Sequence, residues 1–219
     1  MNTWLFLPKS QTVQSLSRRR IVVGGAMAGL TATLGTAALK PRPVYANAHD
    51  AASDAAILNN ALFYEHQAIW AYGFAAGKLS MSDVGQAVKA LALKNQADHM
   101  AHRDVLAEVV RSLGATPVNA ESSYDVSSYL QKGEGNLDSD VNIAKLALAL
   151  ETDAAIAYTA EVAQLKNPAL ITAGASIGSN EASHATAIRA AFVSLGVDIP
   201  IVPSAFVSAD TRESWILTV

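Results

Sequence analysis

Four stretches with helical hydrophobic spacing are separated by connections that run short, long, short, and that order of loop lengths narrows the possible folds most. In the first stretch, from Ala51 to about residue 78, Ala55, Leu58, Leu62, Ile69 and Tyr72 recur at helical intervals. Ser82 is a good N-cap for a second helix, whose stripe of Val84, Val88, Leu91, Leu106, Val109 and Leu113 stops at Gly114 and Pro117. So tight a connection makes the first two helices an antiparallel hairpin. Residues 114–139 lack convincing periodicity and read as a long crossover. Asp138, Ser139 and Asp140 then offer capping groups for a third helix carrying Ile143, Leu146, Leu150, Ala154 and Ala157 to about Leu165. Asn167-Pro168 breaks it and opens a fourth, with Ile171, Ile177, Ile188, Phe192 and Leu195, ended by Gly196. Two tight hairpins joined by one long crossover give an all-α four-helix bundle over residues 47–196, followed by an extended C-terminal tail over 197–219.

The chemistry open to this bundle is limited by what it lacks. There is no cysteine, which excludes disulfides, zinc knuckles, iron–sulfur clusters and thiol nucleophiles, so any metal must sit on His and carboxylates. No Gly-rich phosphate cradle and no Gly-x-Ser-x-Gly elbow is present, which leaves nucleotide hydrolysis and acyl transfer without support. All six basic residues of the first 46 (Lys9, Arg18, Arg19, Arg20, Lys40, Arg42) stand there without an acid, leaving ten basic against nineteen acidic residues beyond. A body that acidic repels phosphate backbones, and nucleic acid is not an expected partner. The N-terminal order is that of a twin-arginine export signal: Ser17-Arg18-Arg19-Arg20, an uncharged run from Ile21 to Leu39, then small residues around Ala46 and Ala48. Residues 1–46 are therefore expected to be removed, placing the mature protein in the periplasm or cell envelope. The membrane would be touched only through an uncleaved signal.

Within the bundle, Glu65 precedes Tyr72 by seven residues on the first helix, and Glu151 precedes Tyr158 by seven on the third. Both Glu lie in apolar stripes, where a carboxylate needs a cation or a donor. On the fourth helix, Glu181 falls near the centre of the inward stripe at about 100° per residue, with His184 one step round, a Glu-x-x-His pair. Bundles that hold a carboxylate-bridged metal pair use one Glu from each of two helices and a Glu-x-x-His from each of the other two. The second helix departs from this. Its in-register match is Gln96-x-x-His99, with Gln for Glu, while His99 and His102 lie on or near the stripe as an alternative His-x-x-His pair. The expected metal set is Glu65, His99, Glu151, Glu181 and His184, with His102 the weaker candidate. With three carboxylates the site would hold one ion tightly and a second weakly, or a single ion. Its nitrogen and oxygen donors suit Fe or Mn, or Zn in a His-rich single-ion variant. Tyr72 and Tyr158 read either as core or as groups that tune oxidising chemistry, and His66 as a residue behind the site or at the surface.

The segments Leu62-Phe-Tyr-Glu65-His66 with Trp70-Ala-Tyr72, His99 with His102-Arg103-Asp104 and Leu113-Gly114-Ala-Thr-Pro117, and Leu150-Glu151 with Ala157-Tyr158 resemble the bacterial ferritin-like family of exported proteins of unassigned function. The resemblance runs from about Ser53 to Gly196. It implies a ferritin-like bundle in a superfamily that contains ferroxidases, peroxidases, oxygenases and metal-free bundles. The dimetal pattern carries over to Glu65, His99, Glu151, Glu181 and His184, and not to Gln96. Two readings follow: a metal-binding protein that oxidises iron or consumes peroxide or dioxygen, or a metal-free bundle serving a structural or interaction role. A monomer or homodimer is expected, since no shell-building surface is evident. Replacing Arg18 and Arg19 together with Lys is expected to stop export, and an intact mass showing residues 1–46 on the exported protein would overturn their assignment as a cleaved signal.

Overall fold

The computed structural model describes residues 48–219, so the export segment at residues 1–46 lies outside the described residues. Four long helices form the body: α1 (Ala48–Ala76), α2 (Asp83–Ser112), α4 (Asp140–Val162) and α5 (Pro168–Ser194). A short α3 (Ser127–Gln131) lies within the crossover between α2 and α4. The ends form where capping chemistry places them. Ser82 accepts from Gly85 N to start α2, Ser139 accepts from Asn142 N to start α4, and Asn167 accepts from Ala169 N with Pro168 in the first turn of α5. Gly114 and Gly196 follow the ends of α2 and α5 with φ of 83° and 91°, the left-handed region that ends helices. None of the described helices is long and apolar enough to cross a membrane.

Two side chains at matching places hold the hairpins to each other. Asp54, fully buried near the start of α1, accepts from the backbone N–H groups of Lys166 and Asn167 in the α4–α5 turn, at 2.8 and 3.0 Å. Asp140, at the start of α4, accepts from Ser80 N at 2.8 Å and Ser80 Oγ at 2.6 Å in the α1–α2 turn. Each Asp stands eleven residues before the Glu of its own helix, Glu65 or Glu151. Clamping both turns this way fixes the two hairpins lengthwise, so their mid-points stay level.

The core is split into two apolar clusters. One gathers Leu58, Leu62, Leu106, Val110, Leu170 and Ile177, and the other Ala144, Leu148, Ala185, Ile188, Phe192 and Trp215. Helices α4 and α5 run through both, and between them lies a layer of buried Glu and His. Close approach of α4 and α5 at that layer depends on Gly178, where an added Cβ would lie 2.9 Å from Tyr158 Cβ.

The tail after Gly196 runs extended for much of its length, with a 3-10 turn at Ala209–Thr211 and one helical turn, α6 (Arg212–Trp215), that periodicity does not reveal. It is bound to the bundle by polar contacts too specific to read from sequence. The buried Arg189 of α5 donates to Pro200 O and Trp215 O, and Arg212 forms a fork with Glu134 of the crossover (2.7 and 2.8 Å) while also reaching Asp153 of α4. Arg212→Ala leaves the buried Glu134 carboxylate without its guanidinium partner, and is expected to lower stability by about 2–3 kcal/mol. Urea unfolding of the two proteins measures it.

Candidate metal centre

At the level between the two apolar clusters, each long helix turns an ionisable side chain inward. Glu65 comes from α1, His99 and His102 from α2, Glu151 from α4, and Glu181 and His184 from α5. The carboxylates are at most 2% exposed, His99 and His184 are buried, and the His102 side chain is 13% exposed. The donor atoms fall into two overlapping groups: Glu65, His99, His102 and Glu181, and His99, Glu151, Glu181 and His184. Within each group the ligand atoms lie within 4.8 Å of one another, and the two groups share Glu181 and His99.

His99 sits between the outer carboxylates, its Nδ1 2.8 Å from Glu65 Oε2 and its Nε2 3.2 Å from Glu151 Oε1. His102 turns Nδ1 toward Glu181 Oε1 at 3.0 Å and Glu65 Oε1 at 3.6 Å. His184 turns Nδ1 toward Glu151 at 3.2 Å and Glu181 at 3.4 Å, while its Nε2 lies 3.3 Å from Asp98 Oδ2 on α2. The outer Glu are held crosswise: Tyr158 donates to Glu65 and Tyr72 donates to Glu151. Asn95 Nδ2 donates to the Tyr72 hydroxyl at 3.0 Å. Glu181 differs from the others. Among the described residues, the buried side-chain atoms without a hydrogen-bond partner are His102 Nδ1 and both Glu181 oxygens.

Electrostatics follow from putting three carboxylates beside three imidazoles in a dry layer. Burial pushes Glu65 up, but the close imidazoles of His102 and His99 outweigh it and hold the carboxyl at about 2. Burial likewise pushes Glu151 up, and the charges of His184 and His99 carry it well below the usual range. Burial draws His102 and His184 down, yet their carboxylate neighbours raise them to about 9 and about 12. His99 is raised well above its ordinary value against the same burial, chiefly by the charges of Glu151 and Glu181. Glu181 is raised, because burial and the nearby Glu151 charge outweigh the pull of the imidazoles.

The structure brings together all six residues selected from the sequence, and on α2 its geometry favours the second of the two pairings left open there. Gln96 is outside the layer, its amide donating to Ile69 O at 2.8 Å. The pair facing Glu181-x-x-His184 is His99-x-x-His102, one turn later, so a histidine stands where the second bridging carboxylate is expected. The helical phase decides this: Gln96 lies about 100° off the inward stripe, and His99 and His102 lie on it. Tyr72 and Tyr158 are core residues by burial and partners of the site through their hydroxyls. His66 contacts Val118 O at 3.2 Å and takes no part in the six-residue cluster. Sequence reasoning missed Asn95 and Asp98. Asn95 precedes His99 by one helical turn on the same face, a usable signal, whereas the contact of Asp98 with His184 joins two hairpins and leaves no trace in spacing.

The family of ferritin-like domains matches residues 53–194. Among solved structures, the crystal structure of a conserved hypothetical protein from Mycobacterium tuberculosis resembles the chain with a TM-score of 0.56 and 24% sequence identity, covering 72% of this chain and 99% of that one. At that identity the likeness is one of fold. No curated protein matches the chain.

The ionic layer imposes its own pH profile on the metal-free protein. His102 and His184, raised on folding, contribute fully below their ordinary value of 6.5 and lose that contribution as pH climbs through about 9 and toward about 12. Glu65, lowered on folding, contributes fully above its ordinary 4.5 and loses it as pH falls toward about 2. With chelator present, stability by urea unfolding is therefore expected to peak between about pH 4.5 and 6.5 and to decline from pH 7 to 10. A stability rising steadily over pH 7 to 10 would show that these ion pairs do not form.

Proposed function

The chain belongs to the ferritin-like domain family, and on that premise we propose that it is an exported metalloprotein of the cell envelope whose buried Glu/His layer holds Fe or Mn for chemistry with dioxygen or peroxide. The observation that carries this reading is Glu181. Its oxygens make no well-formed hydrogen bond although the nitrogens of His102, His184 and His99 lie 3.0, 3.4 and 3.7 Å away, and a fully buried carboxylate at the centre of these convergent donor atoms suits a cation that all of them could bind. The donor set of three carboxylates and three imidazoles fits a divalent first-row ion. Glu65 and His102 would serve one subsite, Glu151 and His184 the other, Glu181 both, and His99, whose neutral ring offers a single lone pair, one of the two. A redox-active ion bound there supplies one-electron chemistry toward an oxygen-derived oxidant.

The surrounding residues have separable tasks. Asp98 accepts from the outer nitrogen of His184, which fixes the ring with Nδ1 facing inward, the arrangement by which outer-shell carboxylates orient ligand histidines. Tyr72 and Tyr158 orient Glu151 and Glu65 through their hydroxyls. The two apolar clusters exclude water from above and below. With His99 in place of a fourth Glu, two dications keep one positive charge in excess of the three carboxylates, which makes the second ion the weaker one. Asp98 softens that imbalance from one layer out, although Lys94 also pairs with it.

A second reading draws support from the same count. Three Glu against three protonated His balance without any metal, so the layer also serves as a buried ion-pair network in a structural or partner-binding bundle. Anaerobic titration of the untagged chain with Fe(II) or Mn(II), followed by elemental analysis, separates the two. The metal reading expects one ion bound tightly and a second more weakly, a drop in affinity of roughly ten- to a hundredfold in His99→Ala, and loss of both ions in Glu181→Ala. Absence of uptake by the wild-type chain selects the ion-pair network.

A further inference from the structure

A pocket of about 270 Å³ opens between α1 and α4 beneath the crossover and ends at Glu151, His99 and Tyr72 of the ionic layer. It exists because the two helices face each other there with small residues, among them Ala71 and Ala154, while larger aromatic groups stand at the sides. A cleft of this size that reaches from the surface to a buried site is large enough for a small organic molecule. We propose that this pocket is a binding site for a small neutral aromatic molecule bearing one hydroxyl group, its rings between α1 and α4 and its hydroxyl toward Glu151.

Three features set the ligand class. The walls are predominantly apolar and include Trp70, Phe74 and Tyr129, which favour a flat ring over a polar or branched molecule. An engineered apolar cavity of about 150 Å³ admits benzene, so this volume corresponds by proportion to about eleven non-hydrogen atoms, or two fused rings. The charges in the lining are already matched: Glu151 at the inner end pairs with His99 and His184, Asp153 in the wall pairs with Arg212, and no Lys or Arg lines the space. A ligand that carries a carboxylate or phosphate would be desolvated there with no free cation in the lining to pair with, whereas a hydroxyl can donate toward the inner end. That such a molecule is a substrate of the metal centre rests on the reading above; that it binds does not.

Calorimetric titration of the full chain with 1-naphthol and with 1-naphthoate, each with and without Mn(II), tests the proposal. Saturable 1-naphthol binding is expected in both states, with 1-naphthoate about tenfold weaker or worse. Ala154→Phe fills the pocket and is expected to weaken 1-naphthol by about tenfold or more while leaving Mn(II) uptake unchanged. Ala71→Leu, filling from the opposite helix, serves the same purpose if thermal unfolding shows that the first variant is not folded. Absence of 1-naphthol binding, equal binding of 1-naphthoate, or unaltered binding in a folded pocket-filling variant overturns the proposal. Retention of 1-naphthol by a Glu181→Ala chain that has lost Mn(II) keeps the two readings apart.

Discussion

Three carboxylates and three imidazoles buried in one layer are the arrangement on which the rest of the bundle depends. Charges in such a place are tolerated only when each is matched and oriented, and Glu181, which faces three imidazoles without a well-formed hydrogen bond to any of them, is the member the protein orients least. The apolar clusters on either side make the demand stricter, since they remove the water that would otherwise screen it. Much of the remaining structure can be understood as holding six side chains level and pointed inward.

An approximate internal two-fold does that holding. Asp54, Glu65 and Tyr72 on α1 repeat as Asp140, Glu151 and Tyr158 on α4, with the same spacings of eleven and seven. Each Asp secures the turn of the other hairpin, and each Tyr donates to the Glu of the other copy. The two copies are thus locked together at their ends and at the centre by reciprocal contacts. The symmetry breaks at α2, where His99 replaces the partner of Glu181. That break is why His99 reaches both Glu65 and Glu151, and why the two halves of the site differ in charge around them. Asp98 and the pocket both lie beside the Glu151 half, so the two subsites have different surroundings.

Periodicity and punctuation made the four helices legible, because caps such as Ser82, Ser139 and Asn167-Pro168 and stops such as Gly114 and Gly196 act locally. Glu65, Glu151, Glu181 and His184 were legible too, since a carboxylate in an apolar stripe is anomalous whatever surrounds it. The α2 register was harder. Counting levels across the first turn pointed to residues near 97, while helical phase pointed to His102, and a choice between Gln96 and His99 as the first member of the pair needs both at once. The fold of the tail was hidden for another reason: Arg212 and Trp215 find their partners on the crossover and on α5, far away in sequence.

The sequence by itself determined the helices, their antiparallel pairing and the residue types available for chemistry, since these depend on contacts within one element or across one tight turn. Only the tertiary structure decided that His99 is shared by both donor groups, that Asp98 backs His184, and that an apolar pocket ends at Glu151. Those outcomes arise where α2 meets α5 and where α1 stands apart from α4. The distance between side chains on different hairpins depends on how the helices are packed, and no spacing along one chain encodes it.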